Sequence, residues 1–231
     1  ALGRGKGTDV LVISLSATDY IGHSYGTEGP EMCGQMISLD ARLGQFFAML
    51  DRQKIDYVVA LTADHGGFDA PERHSEHAYP SASRAPLSLA APVLSQMLAK
   101  QFGWQGALIE NRALGGDYWF TPNVPGNRRA EAAAWLKAEL ERQFAGKVAA
   151  VFAKADIAEI PVPTGNPALW SLAQRVRASF VPDRSGDIYI ALLNGQQPMP
   201  AGIRGYVATH GSPWDYDRRV PILFWRKGMT P

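Results

Sequence analysis

Apolar residues in the first quarter of the chain alternate between short uninterrupted runs and a helical repeat. Residues 10–15 and 57–61 are apolar runs bounded by polar residues, the pattern of a strand that is buried on both faces. Between these runs, apolar residues recur every three or four positions from 34 to 51, which predicts a helix with one apolar stripe. A strand, a helix and a strand in this order predict a crossover of a parallel sheet, in which functional residues gather at the carboxyl ends of the strands.

The middle of the chain has a different organisation, with short alternating elements that follow a loop-like stretch over 69–86. The patterns predict helices over 92–102, 128–144 and 169–180, and strands over 107–111, 117–120, 148–152, 187–193 and 220–225. We therefore expect an α/β core over 1–85 and 196–231, with an inserted α+β subdomain over 86–195.

Composition and charge argue against several classes of protein. The chain has 231 residues, of which 46% are hydrophobic and 19% are charged, as in a soluble globular protein. Its 23 basic and 22 acidic residues leave a net charge of +1, without the basic excess that binds nucleic acid. The apolar runs are far shorter than the ~20 residues of a membrane helix. Cys33 is the single cysteine, so any metal site must use histidine and carboxylate ligands.

Aspartate and histidine residues lie next to the predicted strands. Asp19 and His23 come after the first strand, Asp64 and His65 come after the second, and His210 precedes the last. Histidine nitrogen together with carboxylate oxygen matches a borderline metal such as zinc, whereas calcium prefers more oxygen ligands. Each histidine alone could be a hydrogen-bonded loop residue, but their joint position at strand ends favours a metal site. The first pair would share one face of a helix, although the Ile-Gly dipeptide between its members favours a loop.

Other polar and aromatic residues have a simpler explanation. His74 and His77 could contact a metal or a substrate, but a solvated loop explains them better. Asp69 and Glu72 could ligate an extra cation, although acidic loop residues are commonly just solvated. The aromatic residues 118–120 could stack on a nucleotide or aryl group, but core packing is the better interpretation.

Three motifs resemble those of a known superfamily. They are 18–23 (TDYIGH), 62–66 (TADHG) and 209–212 (THGS), followed by a Tyr-Asp pair and a Val-Pro pair before the last strand. They resemble the metal-binding motifs of the alkaline phosphatase superfamily, and in particular those of bacterial zinc-dependent alkaline phosphatases related to nucleotide pyrophosphatase/phosphodiesterases. The motifs occur in the family's order, with a similar long insertion between the second and the third.

The resemblance implies an α/β fold, with an alkaline phosphatase-like core whose mainly parallel sheet is flanked by helices, plus the inserted subdomain. By position, Asp19, His23 and His210 would bind one zinc ion, and Asp64 and His65 would contribute to a second. Two such ions can clamp the attacking and leaving oxygens of an in-line displacement. The implied activity is hydrolysis of small-molecule phosphate monoesters, with a phosphodiesterase or nucleotide pyrophosphatase as the alternative.

The chain also departs from the family's pattern. In the family, a Thr or Ser nucleophile and one further Asp ligand precede the first motif, yet only 18 residues precede Asp19. We therefore expect the nucleophile upstream of this chain, in an N-terminal half of the same protein, and the chain alone to be inactive. A non-catalytic metal-binding protein is the alternative. The resemblance implies a periplasmic or secreted location, and neither a nucleic-acid nor a membrane partner is expected.

Overall fold

Two units divide the residues that the computed structural model describes, which are 2–202 and 205–228. Unit 1 comprises 2–70, 205–210 and 216–228, and unit 2 comprises 71–202 and 211–215. The sequence places the inserted subdomain at 86–195, and that assignment stays a prediction. The expected core also includes 1, 203–204 and 229–231, which lie outside the described residues. Within the described part of the chain, no helix combines the length and the apolar character needed to cross a bilayer.

Eight α-helices and eight strands are formed by the described residues. The helices are α1 (Ala17–Tyr25), α2 (Pro30–Arg52), α3 (Pro71–His77), α4 (Ala91–Phe102), α5 (Arg129–Gln143), α6 (Lys154–Glu159), α7 (Leu172–Ala178) and α8 (Asp215–Arg218). The strands are β1 (Val59–Thr62), β2 (Ser83–Arg84), β3 (Ile109–Glu110), β4 (Gly116–Phe120), β5 (Val148–Ala153), β6 (Ile188–Leu192), β7 (Gln196–Gln197) and β8 (Ile222–Trp225). The helices predicted over 34–51, 92–102 and 128–144 are confirmed as α2, α4 and α5, with ends that differ by a few residues.

The segment that carries Asp19 and His23 is the helix α1, so the expected loop is wrong. An acidic residue in the first turn and a histidine in the last turn suit the helix dipole. A glycine inside a helix costs only about 1 kcal/mol relative to alanine, which is too little to break a helix that packs on α2. The helix ends at Gly26, whose φ of 83° is readily accessible only to glycine and whose N–H donates to the Gly22 carbonyl.

The sheet of unit 1 consists of β1 and β8, which pair antiparallel with Leu61 opposite Leu223. The strand predicted over 10–15 is not formed, and the parallel crossover inferred from it is wrong. A strand exists only through hydrogen bonds to a neighbour, and within the described residues no strand pairs with 10–15. Instead this segment is exposed, with Val10 at 81% and Val12 at 86%.

Unit 1 leaves much of its apolar surface in contact with solvent. Neither α1 nor α2 has a fully buried residue, and the apolar stripe expected on α2 is only partly covered. All four residues of β8 are exposed, including Ile222 at 65% and Phe224 at 74%. Contiguous apolar surface of this kind usually marks a face that another part of a protein covers.

Unit 2 contains a well-packed core around a four-stranded sheet with the order β3-β4-β6-β5, in which every pair is antiparallel. Leucines of α4 and α5 are fully buried in the same cluster as Ile188 and Ile190 of β6. Tyr118 and Phe120 also lie in this core, which confirms core packing for them, whereas Trp119 is 40% exposed. The mainly parallel arrangement implied by the resemblance differs from these pairings, because among the described strands only β2 and β7 pair in parallel and 10–15 joins no ladder.

Candidate metal centre

Three side chains from distant parts of the sequence converge in unit 1. Asp19 lies on α1, His65 lies in the loop that follows β1, and His210 precedes α8. One ligand atom from each lies within 4.8 Å of the others. Asp19 Oδ1 is 3.3 Å from His210 Nε2 and 3.8 Å from His65 Nε2. All three side chains are partly exposed, and carboxylate oxygen together with imidazole nitrogen is a combination of donors that can bind a metal ion.

His23 is oriented towards the same group. Its position four residues after Asp19 on α1 places both on one face, and His23 Nε2 is 3.5 Å from Asp19 Oδ1. On the opposite side of the ring, Nδ1 is 2.9 Å from the carbonyl oxygen of Ala208. The backbone N–H of Val207 donates to the His23 carbonyl at 2.7 Å. These contacts fix the ring orientation, as hydrogen bonds to the non-ligating ring nitrogen do for histidines that bind metals.

Asp64 and His65 have different environments although they are adjacent. The His65 ring stacks on the His210 ring with centroids 3.4 Å apart, and its Nδ1 is 2.9 Å from the Gly66 carbonyl oxygen. The Asp64 side chain is 89% exposed, and its Oδ2 is 3.6 Å from His65 Nε2. Asp64 therefore lies at the rim, beside the three converging ligand atoms.

Burial lowers the pKa of His210 below its usual value, and neighbouring His65 and His23 lower it further. The carboxylates of Asp19 and Asp217 act in the opposite direction without reversing the shift. A lowered pKa keeps the imidazole neutral at neutral pH, and the neutral imidazole is the form that can donate a lone pair to a metal.

Asp69 and Gly66 are residues whose importance the sequence did not indicate. The Asp69 side chain is buried, with 1% exposure, so the expectation that it is solvated is wrong. Its Oδ1 accepts hydrogen bonds from the backbone N–H groups of Thr27 at 2.7 Å and Glu28 at 3.3 Å. The Gly66 N–H donates to the Asp217 carbonyl at 2.8 Å. A glycine directly after an Asp-His pair was the available signal for Gly66, whereas the burial of Asp69 depends on tertiary contacts.

The remaining candidates lie on or near α3 in unit 2. His74 and His77 lie on the helix α3, which begins with a proline, so the expected loop is wrong, whereas the expected exposure to solvent holds for His77. The His74 ring stacks against Tyr79 with centroids 6.1 Å apart. Arg84 pairs with Glu72 through two hydrogen bonds of 2.6 and 2.8 Å, and these lower the pKa of Glu72. A carboxylate paired in this way acts as a structural contact.

Comparison with known proteins gives consistent matches over most of the chain. The family model described as type I phosphodiesterase / nucleotide pyrophosphatase matches residues 2–212. Alkaline phosphatase PhoK of Sphingomonas sp is 47% identical over 99% of this chain and 41% of its own length. Alkaline phosphatase PhoD of Zymomonas mobilis is 44% identical over 97% of this chain and 39% of its own length. The crystal structure of wild-type alkaline phosphatase PafA matches with a TM-score of 0.79 and 26% identity, over 98% of this chain and 41% of that one.

These matches confirm the resemblance drawn from the three motifs, and the structural match confirms the α/β fold class. The chain spans about two fifths of the length of the relatives it matches. The assignment of individual residues to individual metal ions stays a prediction.

Proposed function

Because the chain belongs to the type I phosphodiesterase / nucleotide pyrophosphatase family, we propose that it forms the metal-binding part of an enzyme that hydrolyses phosphate esters. The observation that carries the proposal is the convergence of Asp19, His65 and His210 from three segments that are far apart in the sequence. Because the chain's relatives are described as alkaline phosphatases, we expect phosphate monoesters to be the substrates of the whole protein. The expected enzyme is therefore a phosphomonoesterase of the alkaline phosphatase type that acts on small molecules.

Zinc is the metal that this donor set suits best. Asp19, His23 and His210 would hold one ion, and Asp64 and His65 would contribute to a second. Imidazole nitrogen and carboxylate oxygen are the common ligands of zinc where cysteine is absent from the site. When bound, a pair of zinc ions supplies Lewis-acid stabilisation to the attacking and leaving oxygens of a phosphoryl transfer.

The residues of the chain contribute by holding and orienting donors. The Asp19 carboxylate lies within 3.8 Å of the Nε2 atoms of His23, His65 and His210, so it organises the three imidazoles around itself. The contact between His23 Nδ1 and the Ala208 carbonyl keeps the His23 Nε2 lone pair directed at the centre. The lowered pKa of His210 keeps this ring neutral, which favours metal binding at neutral and alkaline pH.

The nucleophile is expected to be a Thr or Ser hydroxyl from an N-terminal half of the same protein. The exposed apolar surface of β8 and of residues 10–15 supports the presence of such a partner, because burial of this surface would stabilise unit 1. The chain alone is then expected to bind metal without turnover. A periplasmic or secreted location is expected for the whole protein, and cell fractionation with an antibody would test it.

The test of the proposed function uses the full-length protein with zinc added in excess. We expect it to release phosphate from 4-nitrophenyl phosphate at alkaline pH, and to bind zinc by elemental analysis after dialysis. Asp19→Ala and His210→Ala are expected to lose bound zinc and at least ~100-fold in kcat/KM, which is about 2.7 kcal/mol of transition-state stabilisation. His77→Ala is the matched control because this histidine is exposed on α3. Normal zinc content and full turnover in both site variants would contradict the assignment.

A phosphodiesterase or nucleotide pyrophosphatase is the second candidate function, and the name of the matching family favours it. Relative kcat/KM for 4-nitrophenyl phosphate and bis(4-nitrophenyl) phosphate separates the two candidates, because only a diesterase accommodates the second ester group well. Stoichiometric zinc binding without turnover of either compound would instead support the non-catalytic alternative.

A further inference from the structure

The loop over 64–69, called here the linking loop, carries Asp64 and His65 and connects them to the segments of the other candidate ligands through Gly66 and Asp69. At its C-terminal end, Asp69 Oδ1 accepts from the N–H groups of Thr27 and Glu28 at 2.7 and 3.3 Å. These two residues follow directly after α1, which carries Asp19 and His23. The linking loop is therefore hydrogen-bonded to the segment that supplies the first pair of ligands.

The other end of the linking loop contacts the segment that follows His210. The Gly66 N–H donates to the Asp217 carbonyl at 2.8 Å. A Cβ added to Gly66 would lie 2.0 Å from the Tyr216 carbonyl oxygen and 3.1 Å from the Tyr216 carbonyl carbon, both of them backbone atoms that cannot rotate away. The Phe68 and Tyr216 rings pack with centroids 4.6 Å apart. This close approach is open only to glycine.

The burial of Asp69 indicates why an acidic residue stands there. A carboxylate with 1% exposure is tolerated only where hydrogen bonds replace its hydration. Backbone N–H groups that donate to an ionised carboxylate form stronger and more directional bonds than neutral pairs do. Asp69 thus holds the Thr27–Glu28 backbone at a fixed position relative to His65, which lies only four residues earlier in the chain.

We propose that Asp69 and Gly66 are positioning residues for the metal centre. Together they hold α1 and the His210 segment against the linking loop, so that Asp19, His65 and His210 are assembled before a metal binds. This inference rests on the proposed metal centre, and it adds two residues that lie outside the ligand set assigned to that centre. Preorganisation of this kind raises metal affinity, because the ligands lose little conformational freedom on binding.

The test compares Asp69→Ala, Asp69→Asn and Gly66→Ala in the full-length protein with matched controls. Asp40→Ala removes an exposed carboxylate from α2, and Gly44→Ala adds a Cβ to α2 that meets no atom within 4 Å apart from the helix's own neighbouring backbone. Zinc affinity is measured by competition with a chelating dye, and the visible spectrum of the Co²⁺-loaded protein reports ligand geometry. Both measurements are made well below the unfolding temperature of each variant.

We expect Asp69→Ala and Gly66→Ala to weaken zinc binding by roughly 10- to 100-fold and to change the Co²⁺ spectrum. Asp69→Asn should fall between Asp69→Ala and the unchanged protein, because its amide oxygen still accepts one hydrogen bond without the charge. Excess zinc should restore activity to the Asp69 variants. Asp40→Ala and Gly44→Ala should bind zinc normally. If Asp69→Ala fails to fold, Asp69→Asn gives the measurement.

Two results would overturn the proposal. In the first, Asp69→Asn and Gly66→Ala keep the zinc affinity and the Co²⁺ spectrum of the unchanged protein, while Asp19→Ala abolishes zinc binding. The metal centre would then form without the two positioning residues. The other is a lowered melting temperature with unchanged zinc affinity, which would make both residues purely structural. Unchanged zinc binding in Asp19→Ala would remove the proposed function itself, so the two failures are distinguishable.

Discussion

Replacement of Trp225 by alanine tests how unit 1 holds β1, the strand that precedes the candidate ligands Asp64 and His65. The Trp225 ring packs against Phe47 of α2 with centroids 5.4 Å apart and against Tyr57 with centroids 5.9 Å apart. Each aromatic pair contributes about 0.5–1.5 kcal/mol beyond area burial, so loss of both costs about 1–3 kcal/mol. Trp225 is 44% exposed, so its partial burial adds to this loss, and about 1–3 kcal/mol is the part that belongs to the ring pairs.

The effect should appear in β1, since Val59 pairs with Trp225 and Thr62 pairs with Ile222 in the antiparallel ladder. Native-state hydrogen exchange of peptides that cover β1 and β8 measures the free energy of local opening. A loss of about 1–3 kcal/mol corresponds to roughly 5- to 150-fold faster exchange. Peptides from β5 and β6 in unit 2 provide the internal reference.

A double-mutant cycle makes the reasoning quantitative. Phe47→Ala and Trp225→Ala, alone and combined, should give a coupling energy of about 0.5–1.5 kcal/mol. Trp225→Phe, which keeps an aromatic ring, should recover part of the protection. Coupling energy near zero, or exchange of β1 less than about twofold faster in Trp225→Ala, would refute the idea that these rings hold the strand.

Two further predictions concern unit 2. Burial raises the pKa of the Asp117 carboxyl above 3.8, so the folded state binds its proton more tightly than the unfolded state does. Stability therefore falls as pH rises through the folded pKa. Asp117→Asn should raise the melting temperature at pH 7 and not below pH ~4. A gain that is equal at both pH values would contradict this sign. Leu136→Ala removes a fully buried side chain of α5 and should cost about 2–5 kcal/mol in urea denaturation, while a cost below ~1 kcal/mol would contradict the packing described for this core.

The sequence predicted best those elements whose signal is local and long. The periodic apolar positions of α2, α4 and α5 give their bounds within a few residues, because helix hydrogen bonds form inside the segment itself. The strand predicted over 10–15 failed because a strand needs a partner that a local pattern cannot specify. The loop predicted at 19–23 is wrong because the packing of α1 on α2 outweighs the free-energy cost of one glycine, and that packing cannot be read from the local sequence.

The candidate site shows the same division between local and tertiary information. Asp19, His65 and His210 were predicted from their motifs, and the structure brings their ligand atoms within 4.8 Å. The exposed position of Asp64 was not predictable, because adjacent residues in a loop can point in different directions. Asp69 looked like an ordinary acidic loop residue, since its burial arises from backbone that lies about 40 residues away in sequence.

Burial within unit 1 is concentrated around the candidate ligands. Four residues near the candidate ligands are buried, namely Phe68, Asp69, Ala208 and Asp217. The first two follow His65 in the chain, Ala208 precedes His210, and Asp217 accepts the hydrogen bond from Gly66. In contrast, α1, α2 and β8 have no buried residue. A buried polar group without a hydrogen-bond partner destabilises the folded state, whereas an exposed one can bond to water at little cost. The hydrogen bonds of Asp69 and Gly66, which lie next to these buried residues, therefore constrain the local backbone strongly. The candidate metal centre is therefore held by buried residues next to its ligands, whereas β8 and residues 10–15 carry the exposed apolar surface available to a partner.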